Sequence, residues 1–233
     1  MDLAARSKIK IVLVDSHELI RSGMASLLSL ETDMEVIGEL GSGEEALEFL
    51  QHTVPDVVLM DARMPGMGGI ETTRQACLNK PSLKIVAMST VPTGVIPSQM
   101  LRAGASALIT KSIGVAEMLK AIRVVHAGHR YITPELATKV ALDPFNDDGK
   151  ALFDKLSRRE LQIAMLLTDG NKVSSIAVSL GLSPKTVYSY RYRIFEKLGI
   201  RSDVELTVLS VTNGFSEHGG EIINTPFAIS AAG

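Results

Sequence analysis

The chain has 233 residues, of which 45% are hydrophobic and 21% charged, an ordinary globular mix with room for two domains. That balance excludes a wholly disordered, collagen-like or coiled-coil chain, and a net charge of −2 excludes a uniformly basic surface while leaving room for a basic patch. The single cysteine, Cys77, excludes a disulfide framework and points to a reducing, cytoplasmic setting.

Along the chain, Ile9 to Val14 reads as a strand ending in Asp15. Residues 17–30 read as a helix with Leu19, Ile20, Met24, Leu27 and Leu28 on one face. Met34 to Leu40 is the second strand, and Ser42 caps a helix running to Leu50. Val57 to Met60 is the third, ending in Asp61, and the Pro- and Gly-punctuated loop 64–69 leads into a helix to Leu78. Leu83 to Met88 ends at Ser89, a helix lies between Ile96 and Ala103, and Ala107 to Thr110 ends at Lys111. A last helix spans Gly114 to Ala127. Five successive βα units predict an α/β fold with a five-stranded, doubly wound parallel sheet over residues 7–130.

Residues 131–155 break the pattern and read as an exposed linker. Residues 156–214 read as a small all-helical domain with helices at 158–169, 173–180, 185–198 and 202–213. Residues 215–233 read as a mobile tail. No apolar run is long enough to span a bilayer, so no membrane insertion is expected.

The carboxyl ends of parallel strands form a ligand crevice, and here they carry Asp15, Asp61, Ser89 and Lys111. This set suits phosphoryl transfer onto a carboxylate. Asp61 is the candidate nucleophile, a second carboxylate helps hold Mg²⁺, Lys111 meets a phosphoryl oxygen and Ser89 offers a hydroxyl. Gly41-Ser42-Gly43-Glu44-Glu45-Ala46 matches a dinucleotide-binding pattern, but two acids at the helix start would repel a pyrophosphate, so a capped turn is the better reading. An aspartyl-phosphate hydrolase would need Asp-x-Asp after a strand. Both Asp15-Ser16-His17 and Asp61-Ala62-Arg63 fail that test, so no enzyme is expected.

Val14-Asp15-Ser16-His17-Glu18, Val57-Val58-Leu59-Met60-Asp61, Met64-Pro65-Gly66 and Thr110-Lys111 resemble the receiver domain of two-component response regulators. The resemblance implies that Asp61 is the phospho-acceptor. It implies a metal site of Asp15, Asp61 and the Arg63 backbone, and a sensor histidine kinase as phosphodonor. Ser16 stands where the family has a second acid, a direct Mg²⁺ ligand, so metal affinity should fall. Ser89 replaces the family's Thr as switch hydroxyl, and Leu108 replaces its aromatic switch residue. An atypical, phosphorylation-independent regulator, with a receiver that serves dimerisation or partner binding, therefore stays open beside the phospho-switch.

In the helical half, Ser157 and Glu160 form a capping-box pattern, and Gly181-Leu182-Ser183-Pro184 reads as the turn of a helix-turn-helix. On the helix after it, Val187, Tyr190 or Arg191, Ile194 and Leu198 mark the buried stripe. Lys185, Arg191, Arg193 and Lys197 are expected to meet phosphates, and Tyr188, Ser189 and Tyr192 to reach base edges. Leu156-Ser157-x-Arg159-Glu160 and Ser183-x-Lys185-Thr186-Val187 resemble LuxR-type DNA-binding domains. Residues 190–198 and 203–207 are similar to the GacA/UvrY branch of the NarL/FixJ response regulators. That resemblance adds Thr186 to the DNA-binding set and implies transcription regulation by a homodimer on promoter DNA.

Overall fold

The computed structural model describes residues 7–90, 95–134, 136–138 and 152–212. Strands β1 (Ile9–Val14), β2 (Met34–Leu40), β3 (Val57–Asp61), β4 (Ile85–Ser89) and β5 (Ala107–Thr110) form where aliphatic and β-branched residues cluster. Between them lie α1 (Glu18–Ser29), α2 (Gly43–His52), α3 (Gly68–Asn79) and α4 (Val95–Ala103), and α5 (Val115–His126) follows. All strand pairs are parallel, in the order β2-β1-β3-β4-β5, with one more strand, β6 (Tyr131–Ile132), beside β5.

This sixth strand corrects the expected five-stranded sheet. Its two residues are too few to carry a period-two signal, and it forms by pairing with Ala107 and Leu108 of β5. The segment expected as a linker thus contributes at both ends. Beyond β6, Leu136 is buried with the sheet, and Phe153 is buried in the helical core. Residues 139–151, read as linker, and 215–233, read as a tail, lie outside the described residues.

Side chains alternate across the sheet and bury both faces. Val12, Val14, Val58, Met60, Ile85, Ala87 and Leu108 join the core shared with α2, α3 and α4. Ile11, Leu13, Leu59, Val86, Met88 and Ile109 face the core shared with α1 and α5. The chain turns from β1 to β2 on one side and to β3 on the other, so the switch point lies between β1 and β3. Asp15 follows β1 and Asp61 ends β3, which brings the two acids together there. Gly69, in the first turn of α3, packs against that strand end. A Cβ at this position would sit 1.9 Å from the Asp61 carbonyl oxygen, so only glycine allows the approach.

The glycine pattern before α2 is a capped turn. Ser42 Oγ accepts the Glu45 N–H at 3.2 Å, and Glu45 Oε2 accepts the Gly41 N–H at 2.9 Å. Glu44 accepts the Met67 N–H at 2.8 Å, so both acids are taken up by protein donors.

The second domain packs α6 (Arg158–Thr168), α7 (Val173–Ser179), α8 (Pro184–Leu198) and α9 (Asp203–Thr212) around Ile163, Ala164, Val187, Ile194 and Leu206. The capping box forms at α6, where Ser157 Oγ accepts the Glu160 N–H and Glu160 Oε2 accepts the Ser157 N–H. Ser183 caps α8 with Pro184 in its first turn, and Gly199 ends it at φ +68°, a left-handed geometry that suits glycine.

Candidate functional site

The four strand-end residues of the sheet are all held inside. Asp15, Asp61 and Ser89 are buried, and the Lys111 side chain is only 11% exposed. Lys111 Nζ lies 2.8 Å from Asp15 Oδ2 and 2.9 Å from Asp61 Oδ2, so one ammonium closes both carboxylates into a triad. The other carboxylate oxygens are fixed by backbone. Asp15 Oδ1 accepts the His17 N–H at 2.8 Å, and Asp61 Oδ1 accepts the Arg63 N–H at 3.1 Å. Leu108 is fully buried in the sheet, and half-exposed Ser16 lines the cleft above the acids.

Burial pushes the Asp61 carboxyl up to about 6; Lys111 pulls it back only in part, and Asp15 adds to the rise. Burial works against the Lys111 ammonium, but the two carboxylates outweigh it and raise its pKa. A carboxyl that ionises less readily in the fold than in the unfolded chain costs stability as pH rises. The cost is absent below the ordinary value of 3.8, grows up to about 6 and is constant above it. Asp61→Asn should therefore raise metal-free stability by about 1–3 kcal/mol above that window and leave it unchanged at its acid end. Urea unfolding at the two pH values checks this, and an equal gain at both would refute it.

Two carboxylates side by side with a half-exposed mouth suit a divalent cation, and His17 adds a ring nitrogen to the group. The donor set lacks the second acid because Ser16 stands in its place.

The cleft, of about 480 Å³, is walled on its far side by the helical domain. Arg63 Nη2 is ion-paired with Asp169 at the end of α6, and Gln162 Nε2 donates to the Gly66 carbonyl at 2.7 Å. Met165 packs against the sheet-side core. Arg102 and Gln99 of α4 both reach Asp154, at 2.9 Å and 3.0 Å. These residues gave no local signal in the sequence, because a contact between domains leaves no periodicity.

The docking uses α6 and leaves the outer face of α8 open. Lys185, Tyr188, Ser189, Tyr192 and Arg193 are exposed there, Tyr192 by 71%, and Thr186 is half-buried. Two residues expected on that face are engaged within the domain. Arg191 makes a two-pronged pair with Asp203 at 2.7 Å and stacks on Phe195, and Lys197 Nζ lies 2.6 Å from Glu160. Their acidic partners, Asp203 and Glu160, come from neighbouring helices, which helical spacing alone does not reveal.

Residues 11–123 match the response regulator receiver domain family, and residues 154–210 match the LuxR family of bacterial regulatory proteins. The chain is 47% identical over 207 residues to response regulator GacA of Pseudomonas syringae pv. syringae, covering 88% of this chain and 97% of the relative. It is 41% identical to response regulator UvrY of Escherichia coli, covering 88% and 95%. A LuxR-family two-component response regulator from Aurantimonas superposes with a TM-score of 0.57 at 32% identity, over 60% of this chain and 99% of that one. RcsB of Salmonella enterica, solved on promoter rprA with the phosphomimetic BeF3−, superposes with a TM-score of 0.65 at 21% identity, over 87% and 98%. At that identity the RcsB likeness speaks for the fold.

Proposed function

Because the chain belongs to the response regulators that join a receiver domain to a LuxR-type DNA-binding domain, and is a transcription regulator by that membership, we propose that Asp61 takes a phosphoryl group from a sensor histidine kinase and that α8 reads promoter DNA. The observation that carries this is the Asp15–Lys111–Asp61 triad at the switch point of a chain that also bears a helix-turn-helix.

An Asp61 carboxylate oxygen attacks phosphorus, the bond from phosphorus to the donor nitrogen breaks, and the donor histidine keeps the electron pair. Lys111 then transfers its charge from the free carboxylate to a phosphoryl oxygen, and the Ser89 hydroxyl donates to another. Asp15, Asp61 and the Arg63 carbonyl would hold Mg²⁺, which neutralises phosphoryl charge, with affinity lowered by Ser16. Leu108 fills the switch slot without an aromatic ring.

The docked α6 corresponds to a resting form. Phosphorylation shifts the population toward an open homodimer on two half-sites. Val204 and Val208, exposed on α9, offer that dimer an apolar contact. We read the protein as cytoplasmic, where promoter DNA lies. Residues 7–130 would form the receiver and 156–214 the DNA-binding unit.

Ser16 and Leu108 favour a second reading, in which the receiver serves dimerisation or partner binding and DNA is bound without phosphorylation. Under that reading alone, Asp61→Asn leaves DNA binding unchanged.

Fluorescence anisotropy on labelled duplexes tests the DNA half. Binding should weaken steeply with salt, and Lys185→Ala or Arg193→Ala should each lower the salt slope by about 1. A chain with no salt-dependent preference for any duplex would refute it.

A further inference from the structure

Resting on this reading of the strand-end cleft, we propose that Asp15, His17 and Asp61 form one cation site that accepts a nitrogen ligand, and that it selects Mn²⁺ over Mg²⁺. A ring nitrogen of His17 and one oxygen from each carboxylate all lie within 4.8 Å of one another. The three differ in setting. Asp15 and Asp61 are buried, whereas the His17 side chain is 65% exposed. The imidazole therefore joins the acids from the solvent side.

Its position is fixed by backbone. The His17 N–H donates to Asp15 Oδ1 at 2.8 Å, and its Nδ1 lies 3.1 Å from the same oxygen. The pocket is also built around positive charge, since the Lys111 ammonium lies within 2.9 Å of an oxygen of each acid.

Ser16 decides which cation suits this set. Mg²⁺ demands hard oxygen donors in near-ideal octahedral geometry, and here a neutral hydroxyl stands where a carboxylate would supply one. Mn²⁺ shares the oxygen preference of Mg²⁺, but as a first-row transition ion it also takes an imidazole nitrogen and tolerates a less regular shell, whereas Mg²⁺ sheds its waters reluctantly. Exchanging an acid for a hydroxyl weakens the site for Mg²⁺ while the neighbouring imidazole keeps it competent for Mn²⁺. In the plainer reading, the contact between His17 and Asp15 only tidies the start of α1. That reading makes His17 irrelevant to cation choice.

The experiment uses the metal-depleted full-length chain, titrated with MnCl₂ alone and against MgCl₂. Bound Mn²⁺ is counted by electron paramagnetic resonance, and its ligands are read by electron spin-echo modulation. The wild type should bind Mn²⁺ at least about ten-fold tighter than Mg²⁺ and show nitrogen modulation. His17→Ala and His17→Gln should both lose the modulation and weaken Mn²⁺ about ten-fold, with Mg²⁺ affinity unchanged. Asp61→Asn should remove the Mn²⁺ signal, which ties the ion to this cleft. Ser16→Asp should raise Mg²⁺ affinity and narrow the gap. Bound Mn²⁺ without nitrogen modulation, or a preference that survives loss of His17, would overturn the proposal. Mn²⁺ binding that survives Asp61→Asn would overturn it too. None of these results touches the phospho-acceptor reading, which stands or falls on the phosphoryl adduct.

Discussion

Incubated with a small phosphodonor and Mg²⁺, the wild-type chain should gain one phosphoryl group by intact mass, and Asp61→Asn should gain none. The expected effect is complete because the nucleophile is a single oxygen pair. An amide keeps the shape of the carboxylate but has no anionic oxygen to form the acyl phosphate. Asp15 is buried beside Asp61 and shares Lys111 with it, so the Asp61→Asn control is what assigns the adduct to one of the two acids. Ser16→Asp, which restores a hard donor, should lower the Mg²⁺ needed for half-maximal adduct by about ten-fold or more. No adduct in the wild type at generous divalent cation would instead favour the phosphorylation-independent reading, with Ser16 as the cause.

Charge reversal at Asp169 should speed formation of that adduct by about ten-fold. Asp61 is only 2% exposed, and the helical domain walls the cleft above it. The pair between Arg63 and Asp169 is largely buried, with side chains 13% and 30% exposed, so it is worth more than a surface ion pair. A charge-assisted hydrogen bond contributes about 1.5–3 kcal/mol, and about 1.4 kcal/mol is a factor of ten in the closed population. Asp169→Arg sets two guanidinium groups against each other and opens the cleft. The exchange Arg63→Asp with Asp169→Arg should return the rate toward wild type, because the pair forms again with its partners swapped. Rates taken by intact mass over time distinguish the outcomes. A rate unmoved by the reversal would show that docking does not limit access to Asp61.

The sequence disclosed the strand-end set because apolar runs of a parallel sheet stop where their polar residues must sit. Asp15, Asp61, Ser89 and Lys111 could be placed from run lengths alone, and the order of βα units set the sheet around them. β6 has no signal of its own in the sequence, since two residues make a strand only when an edge is waiting to pair with them. His17 read as a turn residue, because its nearness to both acids depends on the crossover at β1 and β3. Arg191 and Lys197 read as phosphate contacts by their charge, which does not tell which acid waits on the next helix. The contacts of Gln162 and Asp169 with the loop after β3 were invisible for a deeper reason. They join parts of the chain about a hundred residues apart, and no local preference encodes them.

The docked arrangement walls one side of the cleft yet leaves the outer face of α8 in solvent. On the proposed reading, the docked chain already has Lys185 and Arg193 available to any duplex. Sequence-independent attraction to phosphates needs no activation, so unstimulated copies can spread along the chromosome and wait there. The incoming signal then has less to do than summon a protein from free solution. On that reading it converts loosely held single copies into pairs that grip where two half-sites fall at the right spacing, and the search is largely complete before the signal arrives.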